Sequence, residues 1–354
     1  MARLTSLERS LLILVAALTA LAGAADYLAW PPVPRFLAAA LALAGLAWVV
    51  SFATEQLGER FGPGVTGILQ STLGNLPELF VVIFALQKGE LIVAQTAIVG
   101  SVFANALLVL GLVIVFGARQ APDHLMRFSR RLPQDTATLL QVAVFIIVLL
   151  GLSLAAHDPA SHHVKVISAI GAVCLLVVYA TWVVPYLRAD VRPGERGERP
   201  RPRLSLRLTL ALLFVAGTAS AFVSDWFINA LAPAIAQLHI SQAFAGLVIV
   251  AIAGNAVENT AGVVLARKGR SDLAISVVTN SVAQIAAFLF PLLVLISFAL
   301  STTLTFALAP LYIGALALTA LAVWQVTGDG EAAEFEGWAL ASLYVILATF
   351  ALFE

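Results

Sequence analysis

The chain has 354 residues, 61% of them hydrophobic and only 11% charged, with 20 basic and 20 acidic side chains in balance. A soluble domain carries about 25% charged residues, so a water-soluble globule is excluded and the bilayer becomes the solvent that matters. Zero net charge leaves no basic footprint for nucleic acid, and the lone Cys174 cannot close an internal disulfide and reads as a small core residue.

Apolar windows of about 20 residues, the length that crosses a bilayer, fall at 10–30, 36–57, 64–87, 91–117, 137–156, 164–187, 206–231, 242–266, 272–297, 304–326 and 335–353. The first is too long for a signal-peptide core and is read as a true span. Turn residues mark the breaks: Pro31-Pro32-Val33-Pro34, Gly62-Pro63-Gly64, Lys88-Gly89, Lys268-Gly269 and Gly328-Asp329-Gly330-Glu331. With this alternation, loops on the N-terminal side hold 17 of the 20 Lys and Arg residues, and Arg35, Lys88 and Lys165 fall opposite. The positive-inside rule then predicts a cytoplasmic N-terminus and a C-terminus on the other side. Asp26 and Asp225 are expected near the outer surface, and Glu55 and Glu59 at a span end. The acidic group Asp329, Glu331, Glu334 and Glu336 is expected as a solvated turn, with a calcium sensor as the alternative.

The expected fold is an all-α integral membrane protein of about eleven helices. Residues 1–35 form a peripheral N-terminal helix, 36–187 and 206–354 two five-helix repeats of opposite orientation, and 188–205 a basic cytoplasmic linker. The repeat is visible without a gap. Residues 74–101 laid over 254–281 match at seven of 28 positions: Gly74/Gly254, Asn75/Asn255, Glu78/Glu258, Lys88/Lys268, Gly89/Gly269, Ala94/Ala274 and Ser101/Ser281. The copies begin in spans three and eight. An odd separation runs them in opposite directions, which is a secondary-transporter signature.

Glu78 and Glu258 stand inside apolar spans, where an acidic residue costs roughly 2.5–3.5 kcal/mol on insertion scales. Ser71, Gly74 and Glu78, and likewise Ala251, Gly254 and Glu258, follow helical spacing and share a face. Gly74 and Gly254 allow close helix approach, and Pro77 is expected to kink its span by removing a backbone donor. Gln95, Ser101 and Asn105 in one half, and Asn280, Ser281 and Gln284 in the other, add oxygens at similar depth. Such a set suits a hard cation. All five histidines fall in loops or at span ends, which disfavours copper or zinc. Two facing carboxylates would take protons when empty and release them to a divalent ion, and either load makes the site nearly neutral. The alternatives are buried structural acids for Glu78 and Glu258, and packing glue for Ser101, Ser281 and Gln284.

These residues resemble the calcium/proton exchanger (CAX) family of the cation/Ca2+ exchanger superfamily. The resemblance rests on Ala53-Thr54-Glu55-Gln56-Leu57-Gly58-Glu59-Arg60, on Gly74-Asn75 with Glu78, and on Phe84 to Glu90. It continues through Gly100-Ser101, Asn105, Gly254-Asn255-Ala256-Val257-Glu258 and Ser281-Val282-Ala283-Gln284-Ile285, about a quarter of the chain. It implies exchange of Ca2+ for H+ by alternating access, with Glu78 and Glu258 binding either, and Asn75, Asn255, Ser101, Ser281 and Gln284 in support. It implies a multi-pass protein of a plasma, inner or organelle membrane, with Ca2+ as substrate, no cofactor, and a homo-oligomer left open. The sequence departs from the family at Asn259, where relatives often have histidine, at Leu76-Pro77, at Asn280 in place of a common glycine, and in its basic rather than acidic linker. A Na+-driven or other cation exchanger is the nearest alternative, and a cation channel the alternative from another class. An enzyme is not expected: there is no histidine cluster, nucleophile motif or phosphate loop.

Overall fold

The computed structural model describes residues 4–61, 73–189 and 203–354. Ser71, the start of the third window with Gly62-Pro63-Gly64, and residues 190–202 of the basic linker lie outside the described residues. Nine helices among those described are long and apolar enough to cross a membrane. A tenth span is a bent pair, and the third window keeps a shorter apolar helix, Leu76–Gln87. Contacts divide the chain into two compact units, Met1–Phe84 with Ala180–His239, and Ala85–Tyr179 with Ile240–Glu354.

In the first unit, α1 (Ser6–Tyr27) is started by a capping box in which Glu8 N–H donates to Thr5 Oγ1 (3.2 Å) and Thr5 N–H to Glu8 Oε2 (2.7 Å). The second helix, α2 (Pro32–Phe61), packs antiparallel against the long helix Leu206–Leu238. Phe36 and Phe227 meet at one end, their rings tilted by 32° with centroids 4.8 Å apart. At the other end Gln56 Oε1 accepts from the backbone of Arg203 (2.7 Å) and Leu204 (3.3 Å). Glu8 also pairs with Arg203. The expected end of the seventh span at 231 is corrected: the helix continues through Pro233 to Leu238. Proline has no N–H for the carbonyl four residues back. That carbonyl belongs to Asn229, and Arg35 Nη2 donates to it at 3.4 Å. Arg35 also meets Asp26 (3.7 Å), and Asn229 Nδ2 donates to Asp225 (3.1 Å), so both acids expected near one surface gather at one end of this unit.

In the second unit, α4 (Leu91–Ala118), following α3 (Leu76–Gln87), is almost wholly buried and contains a π-helical stretch at Ala104–Val109. Around it come α5 (Arg131–Ala156), α6 (Val164–Ala189), the broken pair α8 (Gln242–Gly254) and α9 (Ala256–Arg267), α10 (Ser271–Ser297), α11 (Pro310–Thr327) and α12 (Glu334–Leu352), with α7 being Leu206–Leu238 of the first unit. A second π-helical stretch lies at Ile285–Leu289, one residue from an offset of 180 on the first, and a third at Ala245–Val250. The tenth window is also corrected: residues 304–309 are not helical. Non-helical backbone survives at membrane depth only when protein satisfies it. Here Leu304 N–H donates to Ser297 Oγ (2.9 Å), Phe306 N–H to Ser168 Oγ (3.2 Å), and Ala307 carbonyl accepts from Gln95 Nε2 (2.9 Å).

Two short strands, β1 (Leu125–Arg127) and β2 (Glu331–Ala333), pair antiparallel and join loops that the alternation of spans puts on one side. The acidic group is used by this clasp. Glu331 bonds Arg127 (3.3 Å), Glu334 bonds Arg119 (2.6 Å), Glu336 caps Ala333 N–H (2.7 Å), and Asp329 accepts from Glu331 N–H (3.0 Å). Cys174 is exposed on the outward face of α6, not in the core. Its apolar neighbours on α6 include both buried residues (Ala172, Leu175) and exposed ones (Val173, Val177), so apolarity alone did not place it.

Asp158 caps the short 3-10 helix Pro159–His163. The hydroxyl of Ser153 (2.5 Å), ahead of the backbone donors of Ala160 (2.9 Å) and Ser161 (3.3 Å), holds its carboxyl below the usual range. A depressed carboxylate stabilises the fold above its ordinary pKa of about 4, and that help is lost as pH falls through the folded value. Asp158→Ala is therefore expected to lower the thermal unfolding temperature at neutral pH. Unfolding scans of both proteins should converge below about pH 4.

Candidate functional site

The repeated phrase is a helix break in both copies. In the first, Gly74 and Asn75 form a turn, and the helix restarts at Leu76. In the second, Asn255 leaves helical geometry at φ −98°, ψ 16°, and α9 restarts at Ala256. The pieces of the second span are bent by 59°. The carbonyl of each asparagine opens the new helix at equal spacing, Leu79 N–H to Asn75 O at 2.9 Å and Asn259 N–H to Asn255 O at 3.0 Å. Pro77 does not kink a continuous helix. It stands in the first turn after the break, where the N–H it lacks has no intrahelical partner in any case.

The other ends match too. Glu90 N–H donates to Ala85 O at 2.9 Å, and Arg270 N–H to Leu265 O at 3.0 Å. Gly89 (φ +80°) and Gly269 (φ +69°) supply the left-handed turn this closure requires. All of these pairs are related by the offset of 180, so the sequence repeat is also a repeat of backbone hydrogen bonds.

Glu78 falls in the first turn of its restarted helix and is only 6% exposed. The partial positive charge of a helix N-terminus favours a negative group there. Glu258 holds the matching place in the first turn of α9. Asn75 is buried beside its break, with Nδ2 unbonded among the described residues. Gly74 is buried and Gly254 half-buried.

Around the second break the predicted polar residues do converge. Asn105 Nδ2 donates to Asn255 Oδ1 (2.8 Å), Asn255 Nδ2 donates to Ser101 Oγ (2.9 Å), and Ser281 Oγ lies 3.5 Å from Asn255 Oδ1. Asn280 and Gln284 flank Ser281 on α10, half-buried, and make no hydrogen bond to this cluster among the described residues. Gln95 is not brought to it; its amide is occupied by Ala307. Sequence reasoning treated Asn259 only as a departure, whereas its Oδ1 is buried and unbonded among the described residues, one turn past Asn255. No spacing rule signals that. The pairing of Asn105 with Asn255, 150 residues away, was equally hidden.

A polytopic helical chain with matched helix breaks, each opening on an acidic residue, defines a membrane carrier of the repeat-built kind. A family model described as sodium/calcium exchanger protein matches residues 33–185 and 208–353, and the chain belongs to that family. The vacuolar calcium ion transporter of Schizosaccharomyces pombe is 31% identical over 332 residues, covering 91% of this chain and 80% of that protein. The Ca(2+)/H(+) antiporter ChaA of Bacillus subtilis is 28% identical over 347 residues, covering 97% and 98%. Among solved structures, native YfkE matches with a TM-score of 0.77 and 26% identity over 97% of this chain and 100% of that one.

Proposed function

We propose that this chain is a secondary antiporter that exchanges Ca2+ for H+, with Glu78 and Glu258 each carrying either the cation or protons. The observation that carries this reading is the buried Glu78 in the first turn of a broken helix, in a phrase repeated at Glu258. A buried carboxylate tends to hold a proton, and a divalent cation displaces it. Exchange follows, because the loaded states are nearly neutral and the empty charged state is costly to carry across the midplane. Beside Glu78, Asn75 is a supporting polar group and Gly74 allows close helix approach; beside Glu258, Ser101, Ser281 and Gln284 support and Gly254 allows close approach; Ca2+ is substrate rather than resident cofactor. The charge bias of the loops supports a cytoplasmic N-terminus.

The names of the relatives favour a proton-driven over a Na+-driven exchanger. Purified protein in sealed vesicles with an imposed pH gradient is expected to accumulate Ca2+ without Na+, and to stop when the gradient is collapsed. Uptake that requires Na+ would move the reading to Na+-driven exchange. Flux far above carrier rates without proton movement would make it a channel.

A further inference from the structure

Asn255 is 1% exposed, and its side chain is hydrogen-bonded through both its nitrogen and its oxygen. Its two amide hydrogens go to Ser101 Oγ and to the Ala251 carbonyl, each at 2.9 Å. Its oxygen accepts from Asn105 Nδ2 at 2.8 Å, and Ser281 Oγ lies 3.5 Å from it. A cation approaching that oxygen would have to displace the Asn105 amide donor that already points at it. Asn105, which holds it, is itself fixed through a second bond from Nδ2 to the Ser101 carbonyl (2.9 Å).

Among the described residues the first copy of the phrase shows no such hold. Asn75 has its Nδ2 unbonded among the described residues. The offset of 180 puts Ile285 where Asn105 stands, so the latching amide exists in one half only.

We infer that Asn255 is a positioning residue, latched by Asn105, which sets the direction in which α9 leaves the break and so carries Glu258. It binds no ion itself. The two asparagines of the repeated phrase thus have different tasks, and the second break is the stiffer one. Their buried network ties the break to α4 through Ser101 and Asn105, and to α10 through Ser281. The inference rests on the exchange reading above.

The test is a double-mutant cycle in reconstituted vesicles, with Asn105→Leu, Asn255→Leu and the double variant. Each single variant is expected to raise the half-saturating Ca2+ concentration about tenfold, the order of one buried hydrogen bond to a positioning group. The double variant should be no more than about twofold worse than the poorer single, since both remove the same bond. Independent effects that multiply in the double variant would overturn the latch. So would singles that lower maximal uptake with half-saturation unchanged, as a merely structural role predicts. If the leucine variants do not fold, Asn105→Ser and Asn255→Ser form the same cycle under the same criteria. Wild-type vesicles that take up no Ca2+ would count against the exchange reading alone. The cycle read in thermal unfolding temperature would still decide the latch, which predicts a double variant no less stable than the weaker single and is overturned by additive losses.

Discussion

Glu78→Gln and Glu258→Gln are each expected to cut pH-driven Ca2+ uptake by about a hundredfold or more, with the protein still folded. Glutamine keeps the size of the side chain and one carbonyl oxygen. It removes the charge that meets the cation and the proton that is exchanged for it. Removing one partner of a buried charge interaction costs about 3–5 kcal/mol, and each 1.4 kcal/mol is about tenfold in affinity, so two orders of magnitude is the lower end. Stability should move the other way. Glu78 is only 6% exposed, and a neutral amide is easier to bury than a carboxylate. The unfolding temperature without Ca2+ should therefore hold or rise in the variants, while the stabilisation that Ca2+ gives the parent should disappear. Uptake retained alongside a lower unfolding temperature would make these residues structural acids and withdraw the site. Effects confined to one of the two would break the equivalence that the repeat implies.

Most of the helical plan was legible because bilayer physics leaves few options. Each of the eleven apolar windows contains helix among the described residues. The repeat was legible because glycine, asparagine and glutamate stand out in an apolar background, and Gly89 and Gly269 keep their left-handed turns for a backbone reason. The misjudged boundaries share one cause. Hydropathy cannot see where a backbone carbonyl finds its donor. The helix through Pro233 persists because Arg35 serves Asn229, and the extended segment before Pro310 persists because Ser297, Ser168 and Gln95 serve its backbone. For Gln95, depth in a span was visible, and the bond of its amide to the Ala307 carbonyl was not. The π-helical stretches at Ala104–Val109 and Ile285–Leu289 were hidden because their residues, such as Leu107 and Ala286, are ordinary for any α-helix. Around the second break, that Ser101, Asn105, Asn255 and Ser281 are polar was legible, and which of them bonds which was not.

Gly111→Ala is expected to lower the unfolding temperature sharply although it adds one methyl group. A Cβ built at Gly111 on α4 would lie 2.5 Å from the Gly337 carbonyl oxygen and 2.9 Å from Ala341 N on α12. A Cβ at Gly337 would lie 2.5 Å from the Gly111 carbonyl oxygen and 2.9 Å from Val115 N. Both obstacles are backbone, so no rotamer change can relieve them, and the two helices have to separate. Overpacking of that kind costs about 1–3 kcal/mol or more. The separation would also strain α4 immediately beyond its π-helical stretch, on the helix that carries Ser101 and Asn105. Gly337→Ala should cost a similar amount. The double variant should cost less than the sum, because one separation makes room for both methyl groups. The control is Gly314→Ala on α11, where a Cβ meets nothing within 4 Å and alanine gains roughly 1 kcal/mol of helix propensity. Thermal unfolding of the parent and the four variants in one detergent separates the causes. A fall at Gly111 and Gly337 with none at Gly314 requires α4 and α12 to cross at backbone contact. Equal behaviour at all three positions would show that they do not, and would remove the rigid frame on which the placement of Ser101 and Asn105 depends.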